Sequence, residues 1–189
     1  REKNKPVVLS EHSSLEQLIK IASLDNDTEV QAPKSLKDSP KIIGTPTEAS
    51  LTILTEKSGI DFVALKKKMP RIHEVHFDSR RQRMSTIHQL ADNKRVIFTK
   101  GALDFVLQVT DRILDNGKVR SITENDKKEI LDANRKYASD GLRSLAFAYR
   151  ETDNKVDPKE YKIDNTEEHL IFVGLASMSD PPRPQVYQA

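Results

Sequence analysis

The stretch VIFTKGALDFVLQV, residues 96–109, decides how the fold is read. Val96 to Thr99 is rich in β-branched and aromatic side chains, as a strand is. Lys100-Gly101 breaks that pattern, and from Ala102 the apolar residues recur at helical spacing. A joint of strand and helix is a common place to hold a phosphate or a nucleotide. Yet the glycine-rich phosphate loop is missing. Gly117-Lys118 is followed by valine, and no glycine stands five positions before Gly117. No glycine triplet with dinucleotide spacing occurs either. Lys100 therefore has two readings. It is a cation at a strand end, poised over a ligand held against the sheet, or it is a surface lysine at a sheet edge.

Working outward, IHEVHF (72–77) and RMSTIHQL (83–90) alternate as strands do, and ADNK (91–94) is the turn before RVIFTK (95–100). RILDNGKVRSI (112–122) predicts a hairpin that turns at Asn116-Gly117. Thr123 caps a helix running to about Ser139, with Asp126 completing an approximate capping box. LRSLAFAYR (142–150) and HLIFVGLAS (169–177) are two further strands, separated by a polar loop. Upstream, Leu15, Leu18, Ile19 and Ala22 recur at helical spacing, with Ser13 or Ser14 as the expected cap. Residues 25–45 read as a loop. A helix follows from Pro46-Thr47 to about Lys57, and DFVALKKKM is a short helix stopped by Pro70. Mixed helices and hairpin-joined strands predict an α+β fold, an antiparallel β-sheet of about six strands flanked by helices. Strict alternation of strand and helix, as in a doubly wound parallel sheet, is not the pattern.

The chain's 189 residues suit one domain. Its 31 basic and 29 acidic residues leave a net charge of +2, which argues against a nucleic-acid partner. With no cysteine, disulfides and thiolate zinc sites are excluded. The longest apolar run, LIFVGLASM (170–178), falls far short of the roughly 20 residues that span a bilayer. REKNKPVV at the start lacks the apolar core of a signal peptide. SDPPRPQVYQA at the end reads as a linker.

No catalytic constellation follows from spacing alone. His73 and His76 lie three apart on a strand and face opposite sides, so they make a weak metal pair. KKK (66–68) at a helix end suits a solvated face and the helix dipole. Phe77 ends a strand and opens into the charged run DSRRQRM. It is either a stacking platform with phosphate partners or an edge-strand core residue. Arg143 at a strand start and Glu48 near a helix start are ordinary when taken singly.

Taken together, five stretches are similar to one family. They are GTPTEASL (44–51), FDSRRQRMS (77–85), FTKGALDFVL (98–107), DGLRSLAFAYR (140–150) and VGLASMSDPPRP (173–184). In this order the chain resembles the nucleotide-binding domain of P-type cation-transporting ATPases, most like the calcium-pump branch. The resemblance implies that ATP is the ligand. Phe77 would stack on adenine, Glu48 would accept from its amino group, and Lys100 would lie on the pocket floor. Gly101 would let the backbone approach the ligand closely. Met84 and Leu145 would form apolar walls, and Arg143 would reach the phosphates. Ser79 falls at a further site position, where some calcium pumps carry arginine. Many relatives carry an acidic residue at Thr45 and a lysine at Gln82. Arg80, Arg81 or Arg83 would have to replace the lost cations.

The resemblance also implies the domain plan. Residues 1–13 are a lead-in, 14–177 the nucleotide-binding domain, and 178–189 a hinge leading to a phosphorylation domain. The family's Asp-Lys-Thr-Gly phosphorylation segment and its magnesium-binding Asp segment do not occur in these residues. The fragment is thus expected to bind ATP as a monomer without hydrolysing it. Its expected partners are the phosphorylation and actuator domains of a membrane-embedded pump, with magnesium bound mainly outside this domain. Two other readings stand beside this one. One is an interaction domain of the same fold that has lost strong nucleotide binding. The other is a self-contained hydrolase, for which Asp25 and Asp27 are the nearest carboxylates to a metal cluster.

Overall fold

Turn chemistry and side-chain period set most element boundaries in the computed structural model, which describes residues 8–31, 41–153 and 155–179. Helix α1 covers Ser13–Leu24. Its cap position is His12, and no side chain caps it. Ser14 instead donates across the molecule to the Leu114 carbonyl at 3.2 Å. The expected serine cap is therefore not made. Residues 25–45 are not all loop. Strands β1 (Glu29–Gln31) and β2 (Lys41–Ile43) pair antiparallel into a small ribbon.

Helix α2 (Pro46–Ser58) starts where Pro46 predicts, with the Thr45 hydroxyl accepting from Glu48 N–H at 3.3 Å. Asp61 caps α3 (Phe62–Lys68) in the same way at 2.9 Å. Strands β3 (Arg71–Asp78), β4 (Arg83–Gln89) and β5 (Lys94–Gly101) follow, then the short helix α4 (Leu103–Leu107). Strands β6 (Thr110–Asp115) and β7 (Lys118–Ser121) form the hairpin. Asn116 and Gly117 turn it with φ of 46° and 80°, as a two-residue primed turn requires. Helix α5 (Glu124–Ser139) carries the full Thr123–Asp126 capping box. Strand β8 (Arg143–Asp153), helix α6 (Ile163–Thr166) and strand β9 (Leu170–Met178) complete the described chain. Most of the lead-in and of the 178–189 hinge lies outside the described residues.

Seven strands form one sheet in the order β3-β4-β5-β8-β9-β6-β7. Every pair is antiparallel except β6 with β9, which run parallel. The expected α+β fold with a largely antiparallel sheet is present, with one more strand and one parallel junction than the sequence suggests. The parallel pair arises because the β6–β7 hairpin returns to the sheet beside the last strand.

Alternation along the strands sends side chains to two covered faces. Val96, Phe98, Phe147 and Val173 pack against Leu18, Ile21 and Leu24 of α1 and Leu51 of α2. Ala146, Ala148, Leu170 and Phe172 pack against Leu103, Val106 and Leu107 of α4, with Ile130 and Leu131 of α5 beyond them. Phe98 and Phe147 are fully buried, each contributing about 1.5–3 kcal/mol of apolar transfer. The segment after β8 is more than a polar loop. Tyr161 and Glu167 are buried in it, and Tyr161 joins Ile87 and Ile97 in a third apolar cluster.

Candidate functional site

Lys100 lies in β5, inside the sheet, opposite Met84 of β4 and Phe147 of β8. Its side chain shares the α1–α2 face with Val96 and Phe98. It is only 5% exposed, so it is not a surface lysine at a sheet edge. A buried ammonium needs partners. It donates to Glu48 Oε1 at 2.7 Å and to the backbone carbonyl of Asp25. Glu48 is presented by the first turn of α2. Asn26, at the end of α1, holds that turn by donating to the Glu48 carbonyl at 3.1 Å. Thr28 and Thr52 hydroxyls meet at 2.6 Å and extend the same polar seam.

A cavity of about 660 Å³ opens above this pair. Phe77 stands on its rim at the end of β3 and is 62% exposed. It is thus on an edge strand but is not a core residue. Met84 and Leu145 line the walls, and Arg143 lies beside Leu145 at the start of β8. Arg143 has no carboxylate or hydrogen-bond partner among the described residues. Gly101 also lines the cavity. An added Cβ there would lie 2.4 Å from the Gln82 carbonyl oxygen and 2.5 Å from Arg83 Cβ. The space left by the missing side chain is therefore taken by β4 itself rather than by a ligand. Ala102 N–H then bonds the same Gln82 carbonyl at 2.9 Å.

Ser79 is the expected site residue that the cavity does not include. It sits exposed in the turn between β3 and β4. The arginines around it have separate fates. Arg81 and Arg83 reach the buried Glu167 at 2.5 and 2.7 Å, and Ser85 donates to the same carboxylate at 3.0 Å. Arg80 is exposed and bonds no carboxylate among the described residues. Of the three cations that follow Phe77, it is the one left for an outside anion.

The cavity thus combines an exposed aromatic face, apolar walls, the carboxylates of Glu48 and Asp27, and a free guanidinium. That set suits a flat heteroaromatic ligand with an anionic tail. A family model described as P-type ATPase, cytoplasmic domain N, matches residues 14–185. The chain belongs to that family. It is 42% identical over 144 residues to a calcium-transporting ATPase 1 of Bacillus cereus, covering 76% of this chain and 16% of the relative. A calcium-transporting ATPase 1 of Lactococcus lactis is 34% identical, covering 82% of this chain and 17% of that protein. A calcium-transporting ATPase of Bacillus subtilis is 32% identical over 98% of this chain and 20% of that protein. The chain spans about a fifth or less of these relatives.

Sequence reasoning missed several residues of this N domain's cavity. Thr47, Ser144 and Ala102 line it, as does Asp27. Asp27 is bound to Arg71 at 2.6 Å, and Arg71 also reaches Glu74 at 2.8 Å. Asp25 is fully buried beneath, and neither of its carboxylate oxygens has a hydrogen-bond partner among the described residues. Burial pushes that carboxyl up to about 7, against the opposing charges of Lys100 and Arg71. No group of three metal-holding side chains occurs among the described residues. No described helix is long and apolar enough to cross a membrane.

Proposed function

We propose that this domain binds ATP in the cavity beside Lys100 and carries its terminal phosphate to the phosphorylation domain of a P-type cation pump. The names of its relatives favour calcium as the cargo. The observation that supports the reading most is the gathering of Phe77, Glu48, Met84, Leu145 and Arg143 around one cavity. Phe77 offers adenine a face on which to stack. Glu48 accepts from the exocyclic amino group, while guanine presents a carbonyl at that position and would be repelled. Lys100 holds Glu48 in place. Arg143 pairs with phosphate oxygens, and Arg80 adds positive charge nearby.

The chemistry itself belongs to the neighbouring domain. There an aspartate oxygen attacks the terminal phosphorus in line, and ADP leaves. Magnesium bound in that domain would supply neutralisation of the phosphate charge. Closure of this domain onto the other brings the reactants together. In this reading the domain lies on the cytoplasmic side of an integral membrane pump, is monomeric alone, and binds ATP without turning it over.

A second reading is an interaction domain that has lost strong nucleotide binding. It draws on Thr45 and Gln82, both neutral and both on the cavity. Calorimetry on Phe77→Ala separates the two. Stacking is worth about 1–3 kcal/mol per base, so ATP should bind roughly five- to 150-fold more weakly with the melting temperature unchanged. Equal affinity in wild type and variant would remove Phe77 from the site. No measurable ATP binding by wild type would favour the interaction domain.

A further inference from the structure

Asp25 is a buried ionisable group that the ATP-binding scheme does not use. It sits under the cavity floor at the end of α1, and its own backbone carbonyl is one of the two acceptors for Lys100. The other acceptor, Glu48, is on the cavity side at 2.7 Å. The ammonium thus holds a carboxylate on the cavity side and the backbone of the residue whose unpartnered carboxyl is buried beneath it.

The groups that face Asp25 come from several elements. Lys100 on β5 and Arg71 on β3 are the cations, Asp27 is the neighbouring anion, and Thr86 on β4 lies beside the carboxyl. Beyond Thr86, bonded to it at 2.9 Å, is His88. Burial pushes His88 down to about 4, so it stays neutral near pH 7. Arg71 is committed to Asp27, Glu74 and the carbonyls of Leu24 and Asn26. Lys100, with two acceptors for its three N–H donors, keeps one donor that can turn to the Asp25 carboxyl.

We propose that Asp25 is a positioning residue for the nucleotide cavity: when neutral it leaves Lys100 paired with Glu48 at the floor, and when ionised it draws the ammonium inward and weakens the hold on ATP. Proton and nucleotide then bind cooperatively. The inference rests on the ATP-binding reading above. Its working range is set by burial, which brings Asp25 close to pH 7. Linkage is reciprocal, so ATP must in turn favour the protonated acid.

The test compares ATP binding by wild type and Asp25→Asn by calorimetry at about pH 6 and about pH 8. ATP titrates in the same range, but that effect is common to both proteins and cancels in their ratio. If ATP prefers the neutral form strongly, the wild-type Kd relative to the variant rises by up to about tenfold between these two pH values. At the lower pH Asp25→Asn binds ATP about as wild type does, and at the higher pH it binds the more tightly of the two. A constant ratio overturns the proposal while leaving ATP binding intact. Loss of ATP binding by wild type at both pH values overturns the underlying reading as well. Carboxyl NMR of wild type decides the matter if the variant does not fold. Asp25 should titrate near pH 7, and higher with saturating ATP. Titration in the ordinary carboxylate range, or no change with ATP, overturns the proposal.

Discussion

Gly101 shows how a motif residue acquires a different meaning in three dimensions. In the sequence, Lys100-Gly101 marks the end of a strand, and the family resemblance suggests room for a ligand. In the structure the room is filled by the Gln82 carbonyl and by Arg83 at the start of β4. Gly101→Ala must therefore push β4 away from β5. Overpacking of this kind costs about 1–3 kcal/mol, so the melting temperature should fall by several degrees. An unchanged melting temperature would show that the strands yield freely there. Phe77, Met84, Lys100 and Arg143 were legible as a set because their motifs occur in one order along the chain. Asp25 was not. A lone aspartate in a polar stretch reads as solvated, and only the packing of α1 over the sheet buries it.

Among elements, those with a strong local signal were legible. The Asn116-Gly117 turn and the Thr123 capping box are each written within four residues. The β1–β2 ribbon was not, because three-residue strands with largely exposed side chains leave no alternation to find. The parallel β6–β9 pairing joins segments far apart in sequence, which no local pattern encodes. The segment carrying α6 was misread for a related reason. Glu167 looks like surface charge, yet it is the shared anchor of Arg81, Arg83 and Ser85. Removing one partner of a buried charge network is strongly destabilising, by about 3–5 kcal/mol. Glu167→Ala should therefore lower the denaturant midpoint by a large fraction of the whole, and chemical denaturation measures it. A loss under about 0.5 kcal/mol, typical of a surface position, would contradict the buried anchor.

At the scale of the whole molecule, two buried groups set opposite pH trends. Asp25 is raised from 3.8 to about 7 in the folded state. Its contribution is fully present at the acid end, below about pH 4, and is lost as pH rises through about 7. The full loss is on the order of 4 kcal/mol. His88 is lowered from 6.5 to about 4. Its contribution is present above pH 6.5 and is lost as pH falls through about 4. The two trends run in opposite directions over nearly the same range, about pH 4 to 7, and should largely offset each other in wild type. Asp25→Asn should leave the His88 trend unopposed, so that stability rises from about pH 4 to 6.5, and should raise the melting temperature at about pH 8. Parallel curves for the two proteins would mean that Asp25 is ionised at ordinary cost.

The measurement that bears most directly on the central claim is a proton–nitrogen NMR titration of this domain with ATP, then GTP. Shifts are expected at Phe77, Met84, Lys100, Gly101 and Arg143, saturating with ATP and markedly weaker with GTP. No shifts up to millimolar ATP, or shifts confined to residues away from the cavity, would contradict the account.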